Sequence, residues 1–328
     1  MRILVTGASG RIGSRTAAEL LARDHDVVGF DLTSARTAHP RYQHVSGALQ
    51  DRDAVGRAAA GVDAVIHLGA LMSWNDADAR AVFDANVVGT FNVVEAAAQQ
   101  RVARLLFASS GEVYPETNPA YLPVDEAHPT RPSSHYGLSK LLGEETVRFF
   151  ARKAGLPYVI LRFSHTQDAA ELIDPDGFFA GPRFYLKRRI ARARTTNDSA
   201  TLAVLEPLDR DAEQHLLACS PDGTPYKMCI CDTRDLVRGI VLALEHPEAV
   251  GETIGIGPDE AIAFDRALSL IRQVTGLSVV EARLPGPAVN YETSNQKARR
   301  LLGFAPEWTF ERMLEEAALE WRARKPTA

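Results

Sequence analysis

The stretch RILVTGASGRIGSRTAAELLARDHDVVGFD, residues 2–31, constrains this chain more than any other. A short apolar strand enters a turn carrying Gly7, Gly10 and Gly13, continues as an amphipathic helix, and leads to a second apolar strand that ends on Asp31. That is a βαβ unit, whose parallel strands require helices on both faces of a sheet. Glycine allows the tight turn and lets backbone amides approach a phosphate at the helix N-terminus, where the dipole favours negative charge. The spacing is G-x-x-G-x-x-G rather than G-x-G-x-x-G, so the triplet alone is weak evidence, but its strand-turn-helix setting is the right one. An acid at the position of Asp31 accepts hydrogen bonds from ribose hydroxyls and repels a 2′-phosphate, which predicts NAD rather than NADP.

The same alternation recurs: strand DAVIHLG, helix AVFDANVVGTFNVVEAAAQQ, strand RLLFASS, helix SSHYGLSKLLGEETVRFFARKAG, strand PYVILRF. Strands alternating with helices over about 160 residues predict a doubly wound parallel sheet of Rossmann type. After Phe163 the rhythm breaks into the Pro/Gly-punctuated loop DPDGFFAGPRFY and the basic run RFYLKRRIARAR, then resumes with YKMCIC and DTRDLVRGIVLALEHP. The expected organisation is an α/β nucleotide domain from residues 1–163 and 226–257, with a smaller, discontinuous α/β substrate-binding lobe from 164–225 and 258–328.

Lys and Arg number 37 against 42 Asp and Glu, a net charge of −5, which argues against a nucleic-acid binder that lives on phosphate contacts. No apolar run approaches the roughly 20 residues needed to span a bilayer, so no membrane association is expected. Three cysteines build no disulfide framework, and no leader precedes the first strand; the expectation is a cytoplasmic protein. His215, Cys219, Cys229 and Cys231 match no familiar ligand spacing, so no metal is expected.

Two further features carry chemistry. Strand RLLFASS ends on Ser109 and Ser110, at the carboxyl edge where open α/β sheets bind ligands, although a Ser pair there can equally cap a turn. In SSHYGLSKLLGEE, Tyr136 and Lys140 stand four residues apart and share a helix face. A phenol titrates near 10 and is too weak a base for an alcohol at neutral pH. A neighbouring ammonium and the positive nicotinamide ring would both favour the phenolate.

TGASGRIG, Asp31, HLGA at 67–70, NVVGTFNVVEAA from Asn86, SSGEVY and YGLSK occur in the order and spacing of the extended short-chain dehydrogenase/reductase superfamily. The chain resembles its NAD-dependent epimerase/dehydratase branch, the UDP-galactose 4-epimerase-like members, strongly over the first 163 residues and more loosely over 226–328. The likeness implies Ser110, Tyr136 and Lys140 as the catalytic set, with Lys140 also holding the nicotinamide ribose. It places the cofactor contacts on Gly7, Gly10, Arg11, Ile12, Gly13, Asp31, Leu49, Leu68, Gly69, Ala70 and Asn86 together with Tyr136 and Lys140, Asn86 being either structural or cofactor-side. It also implies a homodimer through a four-helix interface.

Departures from the family pattern concern the substrate. His165 stands where nucleotide-sugar enzymes carry Asn, and Lys227 or Met228 where they carry a phosphate-pairing Arg. A Lys attracts phosphate without forming the bidentate fork. Arg183, Lys187, Arg188 and Arg192 form a basic run that either holds a phosphate or sugar carboxylate or is a solvated helix face. Only the second acid of a dehydratase-type pair is present, as Glu112, a proton shuttle or a structural hydrogen-bond partner. The substrate candidates are therefore Glu112, His165, Arg183, Lys187 and Lys227. The leading expectation is an NAD-dependent sugar or nucleotide-sugar epimerase working through a transient keto sugar. The alternatives are a dehydrogenase of a free sugar or sugar acid and, on the same fold, a non-catalytic NAD-binding regulator.

Overall fold

The computed structural model describes residues 1–34 and 37–324. The first half of the chain supplies β1 (Arg2–Thr6), β2 (Asp26–Asp31), β3 (Tyr42–Ser46), β4 (Ala64–His67), β5 (Arg104–Ser110) and β6 (Tyr158–Phe163). After four short strands, β7 (His165–Gln167), β8 (His215–Cys219), β9 (Lys227–Met228) and β10 (Ile230–Asp232), the chain returns as β11 (Glu252–Ile256). β11 closes a seven-stranded sheet of order β11-β6-β5-β4-β1-β2-β3, parallel throughout. β1 lies between β2 and β4, so the strand order reverses there and opens a crevice beyond the carboxyl ends of β1 and β4.

The central strands are buried on both faces, as their unbroken apolar runs require. One face is covered by Leu20 and Leu21 of helix Arg11–Ala22 and by Ile240 and Leu244 of helix Thr233–Glu245. The other is covered by helices Arg52–Ala59, Gly89–Gln100 and His135–Ala154 through Val55, Val93, Ala97, Val147 and Phe150. The long helix read from AVFDANVVGTFNVVEAAAQQ is continuous but carries a π turn over Asp84–Val88, around Asn86. Such bulges concentrate at functional sites.

A separate core holds the lobe together, with Phe179, Phe184, Tyr185, Ile190, Met228, Phe264, Tyr291 and Phe310 at its centre. The last three strands, β12 (Ile262–Ala263), β13 (Val279–Arg283) and β14 (Asn290–Tyr291), complete small sheets β12-β9-β14 and β13-β8, while β10 pairs β7. Ala298, Leu302 and Phe304 pack under the seven-stranded sheet with the nucleotide domain. Among the described residues no helix is long and apolar enough to cross a membrane. His215 bonds Phe184 O and Thr275, and the three cysteines are free and buried.

The carboxyl ends of β5 and β6 rest on one buried charge network. Glu144, fully buried, accepts from Arg162 Nε at 2.8 Å and Nη2 at 2.7 Å, from Ser109 Oγ at 2.6 Å and from Arg148 at 2.9 Å. Burial alone would raise the Glu144 carboxyl; the bonds and charge of Arg162, helped by Ser109 and Arg148, hold it below the ordinary value. The group therefore stabilises the fold fully above its unfolded pKa, and that contribution is lost as pH falls through the lower folded value. Glu144→Ala strands the Arg162 charge and is expected to lower unfolding stability by about 3–5 kcal/mol in urea titrations at neutral pH. The gap between wild type and Glu144→Gln should narrow as the buffer is made more acidic than the ordinary carboxylate range.

Candidate active site

The glycine turn is built by steric exclusion. Gly7 adopts φ +70°, and a Cβ there would lie 2.8 Å from the Gly69 backbone; a Cβ at Gly13 would lie 2.0 Å from the Gly7 carbonyl oxygen. Gly10 is the N-cap of helix Arg11–Ala22 with no side-chain cap, so the amides at Arg11, Ile12 and Gly13 face outward without a side-chain acceptor. Asp31 accepts from Ser9 N at 3.0 Å and Thr33 N at 3.2 Å, which fixes its carboxylate beside the turn. This cradle of missing side chains, helix N-terminus and acid fits NAD.

The turn after β4 carries Leu68, Gly69 and Ala70 against Gly7, with Leu49 packed on Gly69. Gly69 N donates to Thr6 Oγ at 3.1 Å, and the His67 ring bonds Thr6 Oγ through Nδ1 at 2.6 Å and Thr90 Oγ through Nε2 at 3.0 Å. Burial, then the Lys140 charge, push the His67 imidazolium down to about 3, so the ring is neutral and one of its nitrogens donates while the other accepts. Asn86 resolves toward the structural alternative. Its amide bonds Leu71 N at 2.7 Å, Leu71 O at 2.9 Å and Ser139 Oγ at 3.0 Å, tying the post-β4 loop to the Tyr136 helix.

That helix, His135–Ala154, starts at Ser134, whose Oγ accepts from Gly137 N at 2.9 Å. It presents Tyr136 to a cleft of about 400 Å³ that also contains Ser110, Glu112, His165 and Arg183. The Ser pair is divided: Ser109 turns to Glu144, while the Ser110 Oγ accepts from Glu112 N at 3.1 Å and bonds the Tyr136 oxygen. Lys140, also buried, donates to Ala108 O at 2.8 Å and lies 5.6 Å from the Tyr136 ring centroid. Burial lowers Lys140 to about 8. The protein's own groups raise the Tyr136 phenol, burial first and the Glu112 carboxylate second, against the opposing Ser110 bond. The lowering expected from Lys140 is thus outweighed, and Tyr136 needs a further positive charge to ionise near neutral pH.

The substrate candidates separate. Glu112 accepts from Trp74 Nε1 and Ser134 Oγ, both at 3.0 Å, and is raised by burial and by Glu116. His165 donates to Glu116 at 2.8 Å. Arg183 lies 4.5 Å over the Phe179 ring and bonds Phe179 O at 3.3 Å; burial lowers it to about 10. Arg192 lines the same cleft, and among the described residues no carboxylate lies within 4.0 Å of either guanidinium. Lys187 and Lys227 are not brought there. Lys187 pairs with Asp209 at 3.2 Å, Arg188 with Asp176, and Lys227 on β9 with Glu292. Trp74, Glu116, Phe178, Phe179 and Tyr291 also line the cleft without having been predicted. The one available signal was an aromatic in the loop just beyond a strand's carboxyl end, which marks Trp74.

A dinucleotide cradle joined to a Ser-Tyr-Lys cleft defines a nicotinamide-dependent enzyme of the doubly wound class. The chain belongs to the NAD dependent epimerase/dehydratase family, which it matches over residues 3–257, and its cofactor is NAD. A short-chain dehydrogenase/reductase superfamily protein from Agrobacterium tumefaciens, solved with bound NAD, is 49% identical over 99% of this chain and 98% of its own, with a TM-score of 0.94. A UDP-glucose 4-epimerase of Halalkalibacterium halodurans is 25% identical over 99% of this chain and 97% of its own length. A uronate dehydrogenase of Pseudomonas syringae pv. tomato is 34% identical over 164 residues, 49% of this chain and 58% of its own.

The cradle makes a direct prediction. Gly13→Ala pushes a methyl group into the Gly7 carbonyl, and NAD affinity measured by calorimetry should fall about ten-fold or more. Gly56→Ala, in open space on another helix, should leave it unchanged.

Proposed function

We propose that this chain is an NAD-dependent sugar or nucleotide-sugar epimerase in which Tyr136 is the base. The observation that carries the reading is the convergence of Ser110 and Tyr136 on one cleft beside the glycine cradle, with Lys140 buried behind the Tyr136 ring. NAD, held by the Gly7–Gly13 turn, Asp31 and the 68–70 turn, supplies the hydride acceptor and a positive ring. Tyr136 takes the proton of a sugar secondary hydroxyl. Ser110, whose oxygen accepts from Glu112 N, would turn its one O–H from the Tyr136 oxygen to the same reacting oxygen of the bound sugar. Lys140 adds positive charge behind the phenol from its seat on Ala108 O, helping the charge of the ring to offset burial and Glu112. The keto sugar would then turn over in the cleft, with bound NAD supplying the hydride chemistry, and Tyr136 would return the proton to the same oxygen. Full-length similarity to a UDP-glucose 4-epimerase supports this outcome.

A second reading, net dehydrogenation of a free sugar or sugar acid, is favoured by two observations. Lys227 is neutralised by Glu292 outside the cleft, and Arg183 and Arg192 face the cleft without an ion-pair partner. A diphosphate thus loses its expected tether, while a single carboxylate or phosphate finds a guanidinium.

Exposed Phe83, Val88, Phe91, Leu138 and Phe149 lie on the Asn86 and Tyr136 helices and the short helix before them, and they support a homodimer through these faces. Light scattering at twice the chain mass is the expected result.

Absorbance in the NADH band, followed with product analysis as neutral sugars, sugar acids and nucleotide sugars are added, distinguishes the readings. Product isomer without continuous NADH is expected for the epimerase; continuous NADH indicates the dehydrogenase. Tyr136→Phe should lower kcat by about 10²–10⁴ with NAD affinity retained, and full turnover would remove Tyr136 as base. On an anionic substrate, Arg183→Met should raise KM more than it lowers kcat, whereas Lys187→Met should change neither.

A further inference from the structure

The loop after β4 does more than border the cofactor turn. Residues 71–75 leave the sheet edge pinned by Asn86 and carry Trp74 into the cleft beside the base. Its ring centroid lies 5.3 Å from that of Tyr136 and 5.1 Å from that of Phe178, which reaches across from the lobe. Its single polar atom is already satisfied: Nε1–H donates to Glu112 Oε1 at 3.0 Å, and Glu112 is held from its other oxygen by Ser134, the cap of the Tyr136 helix. Trp74 is therefore fixed by a hydrogen bond anchored to the same helix end that sets Tyr136. Its half-buried indole, flanked by Tyr136 and Phe178, has only the ring surface that these two leave uncovered to offer a ligand.

The surface of an aromatic ring is negative on its face, and it attracts groups carrying partial positive hydrogen. A pyranose has such a group in the C–H face of its ring, polarised by the neighbouring oxygens, while its hydroxyls project from the edge. Stacked on Trp74, a sugar ring buries that C–H face and turns its hydroxyl edge toward Ser110 and Tyr136. A hydroxyl standing axially on the stacked face would meet the indole without a hydrogen-bond partner, which disfavours that epimer.

We propose that Trp74 is the specificity-determining residue of this cleft, the platform on which the C–H face of a pyranose substrate stacks, with Glu112 as its positioning residue. This rests on the reading of the site as a sugar-oxidising one. It adds a stereochemical rule: the enzyme selects among pyranose epimers by the face presented to the indole.

The test uses the full-length enzyme with NAD and three epimer pairs as probes: glucose and galactose, glucuronate and galacturonate, UDP-glucose and UDP-galactose. Turnover is read from NADH and from product isomers. For the pair that wild type turns over, Trp74→Ala should raise KM about ten-fold or more, with kcat changed less than about three-fold. Where wild type oxidises the two epimers separately, the ratio of their kcat/KM values should move toward unity; where it interconverts them, that ratio is fixed by the equilibrium constant and the rise in KM is the readout. Trp74→Phe, which keeps an aromatic face, should recover most of the KM and the selectivity, and NAD affinity should be the same in all three proteins. An unchanged KM for the substrate in Trp74→Ala, while Tyr136→Phe abolishes turnover, would overturn this inference and leave the base assignment intact. Loss of NAD affinity in Trp74→Ala would overturn it by making the indole a cofactor contact. No turnover of any probe by wild type would overturn the sugar reading itself.

Discussion

β1 and β4 end against one another only because neither turn carries a side chain at the contact. A Cβ on Gly7 would sit 2.8 Å from the Gly69 backbone, so the close approach of the two turns is a steric permission that only glycine gives. From that contact a chain of hydrogen bonds runs away from the cofactor cradle. Gly69 N bonds Thr6, Thr6 bonds His67 and His67 bonds Thr90; two residues beyond Gly69, Leu71 is tied by Asn86 to Ser139, whose hydroxyl donates to Tyr136 O. The glycine turns and the helix that carries Tyr136 are thus tied to the same post-β4 segment by two short runs of hydrogen bonds. A neutral His67 suits this role, because an imidazolium there would lose its acceptor nitrogen and break the chain.

Charge is handled in two opposite ways on the two sides of the cleft. Beneath β5 and β6, Arg162 and Glu144 are buried but saturate one another, and the neighbouring Ser109 and Arg148 complete the carboxylate's partners. A buried pair satisfied in this way holds geometry. On the lobe side, Arg183 stacks on Phe179 and has one carbonyl acceptor, so most of its five donors have no acceptor from the chain. Burial makes that charge unfavourable enough to lower its pKa to about 10. An anionic group on a substrate would relieve both deficits at once.

The cofactor half was legible because its rules are local. A strand, a turn that sterics restrict to glycine, a helix and an acid follow each other within 31 residues, and each is forced by geometry visible in the sequence. Helical spacing put Tyr136 and Lys140 on one helix face and the strand end placed Ser109 and Ser110 at the sheet edge, but joining Ser110, Tyr136 and Lys140 in one set came from the family resemblance. The division of the Ser pair was not legible, since it depends on Glu144, 35 positions from Ser109 in the chain. Nor was the sorting of the basic run. Arg183 and Lys187 stand one helical turn apart in sequence, but the chain breaks at Tyr185 between helices Ala180–Phe184 and Leu186–Thr195, and the two side chains diverge. Lys227 matched a family position, yet Glu292, far away in sequence, claims it.

The wall that meets the substrate is assembled on a different principle. Trp74, Glu116, His165, Phe178 and Tyr291 come from separate segments, none with a period that betrays its partners, and Tyr291 is placed by the lobe core rather than by the sheet. Phe179, Phe184 and Tyr291 belong to that core, so exchanges among its apolar residues would shift the wall through packing. Ser110, Tyr136 and Lys140 hang instead on β5 and on a helix packed against the sheet, and the lobe core reaches them through Tyr291, which packs on Gly111 beside Ser110. In the proposed reading, substrate choice can therefore change largely through the lobe side of the wall while the sheet side keeps its place. That division is why residues 1–163 carry the cofactor motifs, while the wall of the cleft is written in contacts that only the folded chain brings together.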